Sequence, residues 1–125
     1  MGRLISLELA KKLKAAGLKW EPKQGDCYWD VDYKKVRHTG RPGKLLWVSW
    51  HIWLPSLSQL LAEIEARDYQ WNLCKNTMRF KNGYYDIAIY QGGIPWAYHT
   101  PFAVDTPAEA AGQALLWILE QEGSR

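Results

Sequence analysis

The sequence PSLSQLLAEIEARD, residues 55–68, contains the clearest secondary-structure pattern in the chain. Its large aliphatic residues recur at i, i+3, i+4 and i+7, which places them on one face of an α-helix. These residues are Leu57, Leu60, Leu61 and Ile64. Pro55 and Ser56 separate this pattern from the segment before it. The stretch therefore predicts an amphipathic helix that packs its aliphatic face against a core.

Two further helices are predicted near the ends of the chain. SLELAKKLKAAG, residues 6–17, repeats apolar residues at helical spacing, with Ser6 as the N-cap and Gly17 as the left-handed stop. The last helix opens at Thr106, where the N-cap, Pro107 at the first helical position and Glu109 form a capping box with a proline start. Its predicted apolar face consists of Ala111, Ala114, Leu115, Ile118 and Leu119.

The segments between the first two helices have the period of β-strands. CYWDVDY, residues 27–33, alternates between an apolar face that begins at Cys27 and includes Tyr33, and a second face that carries Asp30. Residues 34–44 hold five Lys/Arg and are expected to form an exposed loop. Residues 45–54 predict a strand that pairs with the strand at residues 27–33. The segment is rich in β-branched and aromatic residues, and its apolar residues recur with a period of two. A helix is the second alternative, since three Trp recur at three-residue spacing.

Two or three strands and a final extended segment are predicted after the central helix. The strands fall near residues 69–74, 77–81 and 84–90, and the extended segment spans 96–104. Asn82–Gly83 is a hairpin turn signal. The predicted order is α-β-β-α-β-β-β-α, a single α+β domain over residues 1–125 with a mostly antiparallel sheet.

The composition is that of a globular protein of one domain. The chain has 125 residues, of which 47% are hydrophobic and 23% charged. Eight Trp, seven Tyr and two Phe give a short chain large side chains with which to close a core. The uncharged stretch 45–62 is interrupted by polar residues and is a poor membrane span. The N-terminus has no secretory signal pattern, so a cytoplasmic location is expected.

No sequence motif for catalysis or cofactor binding is present. The chain lacks the GxSxG, P-loop and GxGxxG patterns. Cys27 and Cys74 are 47 residues apart and form no CxxC pair, so two reduced thiols are expected, with one disulfide as a minor alternative. Either cysteine could meet His51 across the sheet, but no spacing requires it. The sequence therefore predicts a protein that is not an enzyme and binds no cofactor.

A metal site is also not expected. Asp30 and Asp32 lie on the same strand face, but one strand offers only two carboxylates side by side, and a hard cation needs more oxygen ligands. We expect these acids to form a solvated face that pairs with Lys34 and Lys35. HExxH and paired CxxC patterns, which would suggest zinc, do not occur.

The distribution of charge suggests a nucleic-acid interface. Residues 1–62 carry a net charge of +6 and residues 63–125 a net charge of −3. The basic candidates for phosphate contacts are Lys34, Lys35, Arg37, Arg41 and Lys44, and the candidate stacking groups are Trp47 and His51. The alternative is that these cations only keep an exposed loop soluble and prevent edge pairing. Because at most five phosphates could be contacted, binding would be weak and salt-sensitive.

The last helix suggests a protein contact. Residues 114–119 are all apolar, which is more than one helical face needs. Leu116 and Trp117 are the residues expected to lie off the face that packs within the chain. Glu120 and Glu122 oppose the helix dipole, and the basic half of a second copy could neutralise them. A symmetric homodimer is therefore a hypothesis, and burial within one chain is the alternative.

Three segments resemble small uncharacterised proteins encoded in bacterial phages and prophages. They are SLELAKKLKAAGLKWEPKQGD (6–26), WLPSLSQLLAEIEARDYQW (53–71) and DTPAEAAGQALLWIL (105–119). The resemblance covers nearly the whole chain and rests on core and capping patterns. It implies a phage-type accessory protein with no established activity, and it implies no catalytic or binding residues.

The sequence thus favours a small, non-enzymatic binding protein that acts through protein contact. The alternative is a weak nucleic-acid binder that uses residues 34–44. A hydrolytic or nucleotide-modifying enzyme built from His and Asp residues is the third hypothesis.

Overall fold

A computed structural model describes residues 5–20, 25–38, 51–76, 84–91, 94–99, 104 and 106–123. Within these residues the chain forms α1 (Leu7–Ala15), β1 (Cys27–Asp30), β2 (Lys35–His38), β3 (Ile52–Trp53), α2 (Leu57–Ala66), β4 (Gln70–Asn76), β5 (Tyr84–Gln91), β6 (Ile94–His99) and α3 (Pro107–Gly123). All the strand pairs are antiparallel, in two sheets ordered β2–β1–β3 and β4–β5–β6. The predicted α+β class, with three helices and antiparallel strands, is confirmed.

The first sheet differs from the prediction in where its strands begin and end. Residues 35–38, expected to belong to a loop, form β2, which pairs with β1 from Cys27↔His38 to Asp30↔Lys35. The expected pairing of the third strand with β1 is confirmed at Trp29↔Ile52. Residues 45–50 of that predicted strand lie outside the described residues. The chain in this sheet therefore turns back directly after Asp30.

The buried face of β1 is the opposite of the predicted one. Tyr28 and Asp30 are buried, at 4% and 3% exposure, whereas Val31 and Tyr33 are 42% and 70% exposed. The prediction was wrong because the strand ends at Asp30, so Val31 and Tyr33 belong to a turn and not to a strand face. Trp29, on the predicted face, still packs partly against the core.

The second sheet follows the sequence pattern more closely. β4 and β5 pair from Gln70↔Tyr90 to Asn76↔Tyr84. Val104, at the end of the predicted extended segment, exchanges two backbone hydrogen bonds with Tyr85, of 2.9 and 3.2 Å. The strand predicted at residues 77–81 lies outside the described residues.

α3 occupies the centre of the core. It contacts α1, α2 and β5, and Leu115 and Ile118 are fully buried between them. Ile87 and Ile89 of β5 are also fully buried, as the strand alternation predicts. Burying one such aliphatic side chain contributes about 1.5–3 kcal/mol relative to exposure. None of the helices in the described ranges combines the length and the apolar character needed to cross a bilayer.

The starts of α1 and α3 are joined by hydrogen bonds. The predicted N-caps are confirmed, because the Ser6 hydroxyl accepts the Leu9 N–H at 3.2 Å and the Thr106 hydroxyl accepts the Glu109 N–H at 3.1 Å. In the predicted capping box the Glu109 carboxylate would accept the backbone N–H of Thr106. In the structure this carboxylate accepts the backbone N–H and the hydroxyl of Ser6, at 2.9 and 3.1 Å. One serine therefore caps α1 and fixes it to α3.

Candidate functional site

The turn between β1 and β2 is closed by the side chain of Asp30. Its Oδ1 accepts the backbone N–H groups of Asp32 and Tyr33, at 3.0 and 3.1 Å, and its carbonyl oxygen accepts the Lys34 N–H at 2.7 Å. Lys34 has a φ of 53°, in the left-handed region, which reverses the chain into β2. We call β1, β2 and this turn, residues 27–38, the basic hairpin. Asp30 thus binds the backbone of Asp32, Tyr33 and Lys34 in this turn.

Two other segments hold Asp30 in place. The guanidinium of Arg37 donates to Asp30 Oδ2 at 3.1 Å, and His51 Nδ1 lies 3.7 Å from Oδ1. The same His51 nitrogen accepts the Val31 N–H at 3.2 Å. The ammonium group of Lys14, on α1, donates to the His51 carbonyl oxygen at 3.0 Å. The basic hairpin is therefore anchored to the segment that precedes β3, and the ammonium group of Lys14 on α1 lies beside it.

These contacts set the ionisation of Asp30. Burial by itself would raise its pKa, but hydrogen bonds from Tyr33, Arg37 and Asp32, together with the electrostatic effect of the neighbouring His51, lower the pKa overall. A carboxylate with a lowered pKa stabilises the fold fully above its unfolded-state pKa of about 3.9. This contribution is lost as the pH falls through the lower pKa of the folded state.

We therefore expect Asp30→Asn to have a lower urea midpoint than the wild type at neutral pH, because an amide binds Arg37 and the turn N–H groups less strongly. The difference should shrink below about pH 4 and vanish where Asp30 of the wild type is protonated. Urea denaturation followed by tryptophan fluorescence at a series of pH values measures it. Asp32→Asn, which changes an exposed carboxylate of the same turn, is the control and should follow the wild type. If the urea midpoints of Asp30→Asn and the wild type differ by the same amount at every pH, the ionised carboxylate of Asp30 is not the group that stabilises the turn.

The tip of the basic hairpin presents one exposed aromatic ring close to two cations. The Lys35 ammonium lies 5.7 Å and the Arg37 guanidinium 5.5 Å from the centre of the Tyr33 ring. Val36, on the adjacent strand, is 45% exposed. β2 is an edge strand, and all four of its residues are exposed. An exposed ring near two cations offers a stacking surface next to groups that bind anions.

The structure brings together only part of the predicted nucleic-acid site. Lys34, Lys35 and Arg37 lie at the tip of the hairpin and are exposed. Arg41, Lys44 and Trp47 lie outside the described residues. The prediction of His51 as a stacking group was wrong, because its side chain is 4% exposed and holds the turn. Tyr33 was not among the predicted site residues, because the alternation of residues 27–33 placed it on the apolar face of a strand.

Asp30, Asp32 and His51 have potential metal-binding atoms within 4.8 Å of one another. Two of these atoms already accept backbone hydrogen bonds, namely Asp30 Oδ1 and His51 Nδ1. Arg37 neutralises the buried carboxylate. The expectation of a solvated acidic face was wrong for Asp30, whose partner is Arg37. A cation would have to displace bonds that hold the turn, so hydrogen bonding accounts for this cluster.

The cysteines lie in surroundings that do not activate a thiol. Burial raises the pKa of the Cys27 thiol, and the carboxylate of Asp26 raises it further. A thiol with a raised pKa supplies little thiolate at neutral pH. Cys74 is exposed on β4 of the second sheet, whereas His51 precedes β3 of the first. Both cysteines are free, as the sequence predicts.

Leu116 and Trp117 lie at the edge of the core. Both are half-buried, and they pack against the core while lining a groove between α1 and α3. The Trp117 ring meets that of Tyr69 edge to face, with their centres 6.5 Å apart. These residues thus contribute to the packing of the chain itself and also to its surface.

A second cleft, of about 390 Å³, lies between the start of β1 and α2. It is lined by Gly17, Lys19, Asp26, Trp53, Gln59, Ala62, Glu63 and Arg67. The buried carboxylate of Asp26 accepts hydrogen bonds from the Trp20 indole at 3.0 Å and from the Gln59 amide at 2.6 Å. Arg67 pairs with Glu63 at 2.6 Å. Asp26 and Gln59 thus bind each other, as do Glu63 and Arg67, whereas the buried indole N–H of Trp53 has no hydrogen-bond partner among the described residues.

Comparisons with known proteins give no family for this chain: no family model, no curated protein and no solved structure matches it.

Proposed function

We propose that the protein is a non-enzymatic binding module of the cytoplasm and that its basic hairpin binds single-stranded nucleic acid. The observation that carries the proposal is the Tyr33 ring, 70% exposed and lying within about 6 Å of the cations of Lys35 and Arg37. The two free cysteines support a reducing compartment. The phage-type accessory role is supported by the sequence resemblance alone and stays part of the proposal.

Tyr33 suits a single strand better than a duplex. An unpaired base exposes a face on which an aromatic side chain can stack, whereas a duplex hides the faces of its bases. Lys34 and Lys35 are exposed and supply cations for the phosphates next to such a base. Lys14 extends the positive surface towards α1, since it is bonded to the backbone beside the hairpin. With so few phosphate contacts, affinity should be low and should fall with salt concentration.

We expect Tyr33→Ala to weaken binding of an oligothymidine about 5- to 150-fold, because stacking on an aromatic side chain contributes about 1–3 kcal/mol per base. Tyr33→Phe keeps the ring and should bind like the wild type. Fluorescence anisotropy of a labelled oligonucleotide at low salt measures the dissociation constants. Neither substitution should change the fold, since the side chain is exposed and lies in a turn.

The salt dependence separates stacking from charge. Lys35→Gln removes one phosphate contact and should reduce the slope of log K against log salt by about 0.7, while Tyr33→Ala should leave the slope unchanged. The proposal fails if the wild type does not bind at low salt, or if Tyr33→Ala and Tyr33→Phe bind equally well. Tighter binding to a duplex of the same length would contradict the preference for single strands.

A further inference from the structure

A groove of about 380 Å³ runs between α1 and α3 on a face that the proposed function does not use. It is lined by Ser6, Glu8, Leu9, Lys12, Glu109, Gln113, Leu116, Trp117 and Glu120. Its floor is apolar, because the side chains of Leu9, Leu116 and Trp117 form it, and the latter two are only half-buried. Three glutamates and one lysine are among these lining residues. We call this feature the acidic groove.

The negative charge of the acidic groove is poorly compensated at one end. The last turn of α3 has no basic residue, although the carbonyl groups at a helix C-terminus favour cations. Glu122 in this turn lies 3.7 Å from the Arg67 guanidinium. Glu120 is exposed and forms no ion pair with any residue that the structure describes. The groove therefore favours an occupant that carries cations.

The occupant must also cover apolar surface, and the chain itself presents a segment with both properties. The tip of the basic hairpin carries Lys34 and Lys35 beside the exposed side chains of Tyr33 and Val36. The groove and the hairpin are thus complementary in charge and in apolar character.

We propose that the acidic groove binds the basic hairpin of a second copy of this chain. In a two-fold dimer each copy supplies one hairpin and one groove, so the contact forms twice and closes. Lys35 of one copy then faces Glu120 of the other, and the Tyr33 ring covers Leu116 and Trp117. The same hairpin carries the proposed function, and the two uses compete, because a hairpin seated in the groove covers Tyr33 and Lys35.

Charge reversal on one side of the contact tests the proposal. The dissociation constant of the dimer, measured by sedimentation equilibrium, should rise at least about 10-fold in Glu120→Lys and in Lys35→Glu, because each places like charges together. The double substitution Ala15→Lys with Gln70→Lys is the control for Glu120→Lys. It adds the same net charge at exposed positions outside the groove and should leave the dimer unchanged. Thermal denaturation of each variant establishes that it is folded.

Mixing the two reversed variants is the decisive experiment. Glu120→Lys and Lys35→Glu should form a heterodimer together, since both of its contacts then pair opposite charges, although each variant alone stays monomeric. A wild type that is monomeric at high micromolar concentration overturns the proposal, as does a dimer that Glu120→Lys leaves intact. If the mixture fails to associate, the hairpin is not the occupant. Glu120→Lys should still bind oligothymidine, so a failure of this inference is distinguishable from a failure of the proposed function.

Discussion

Leu115→Ala is expected to lower the free energy of unfolding by about 2–5 kcal/mol, the largest effect of any single truncation considered for this protein. Leu115 lies on the face of α3 at the centre of the core and is fully buried. Removing its three outer carbons loses their transfer free energy and leaves a cavity. Because a domain of this size is stable by about 5–15 kcal/mol in total, the variant should lose a large fraction of its stability and unfold at a lower temperature.

Urea denaturation followed by tryptophan fluorescence measures the loss. Leu115→Met is the matched control, since it nearly conserves volume and should cost less than about 1.5 kcal/mol. If Leu115→Ala lowers the free energy of unfolding by less than about 1 kcal/mol, Leu115 is not fully buried between α3 and the elements around it.

Gly112→Val is expected to destabilise the protein by about 1–3 kcal/mol through overpacking. Gly112 lies on α3 where α1 crosses closely, and a Cβ atom at this position would come within 2.6 Å of the Leu9 side chain and 3.5 Å of Ile5. Replacing an exposed helical glycine by a residue with a side chain normally stabilises a helix. A loss of stability at Gly112 therefore has to come from the contact between α1 and α3. Either the buried Leu9 side chain changes its rotamer or the two helices move apart.

A double-mutant cycle with Leu9→Ala isolates that contact. Leu9→Ala removes the atom that lies closest to the new side chain, so it should cost less in the Gly112→Val background than in the wild type. We expect a coupling free energy of about 0.5–3 kcal/mol. Additive effects of the two substitutions would show that α1 and α3 are not in close contact at Gly112.

The helices were predictable because their signals are local. The aliphatic period of residues 57–64 and the caps at Ser6 and Thr106 are contained within a few residues of each helix start. The antiparallel pairing of the strands was also predictable, since short connections favour it. The ends of the strands in the first sheet were not predicted from the alternation, because β1 stops where the Asp30 side chain bonds to the backbone that follows it.

The candidate site depended on contacts that periodicity does not show. Asp30 is buried because Arg37 and His51 come to it from other segments, and neither partner can be identified from the alternation of residues 27–33. One local signal was available. Aspartate side chains often accept N–H groups two or three residues further along the chain, which would have ended the strand at Asp30. Tyr33 would then have been placed in a turn, where exposure is expected.

The bonds between Ser6 and Glu109 have a consequence for how the chain folds during synthesis. These residues are 103 positions apart, so the bonds between them can form only after α3 has left the ribosome. Structure that depends on contacts this distant in sequence forms slowly. The side of α1 that packs against α3 therefore stays uncovered until α3 has been synthesised, and binding by a chaperone would matter most during this interval.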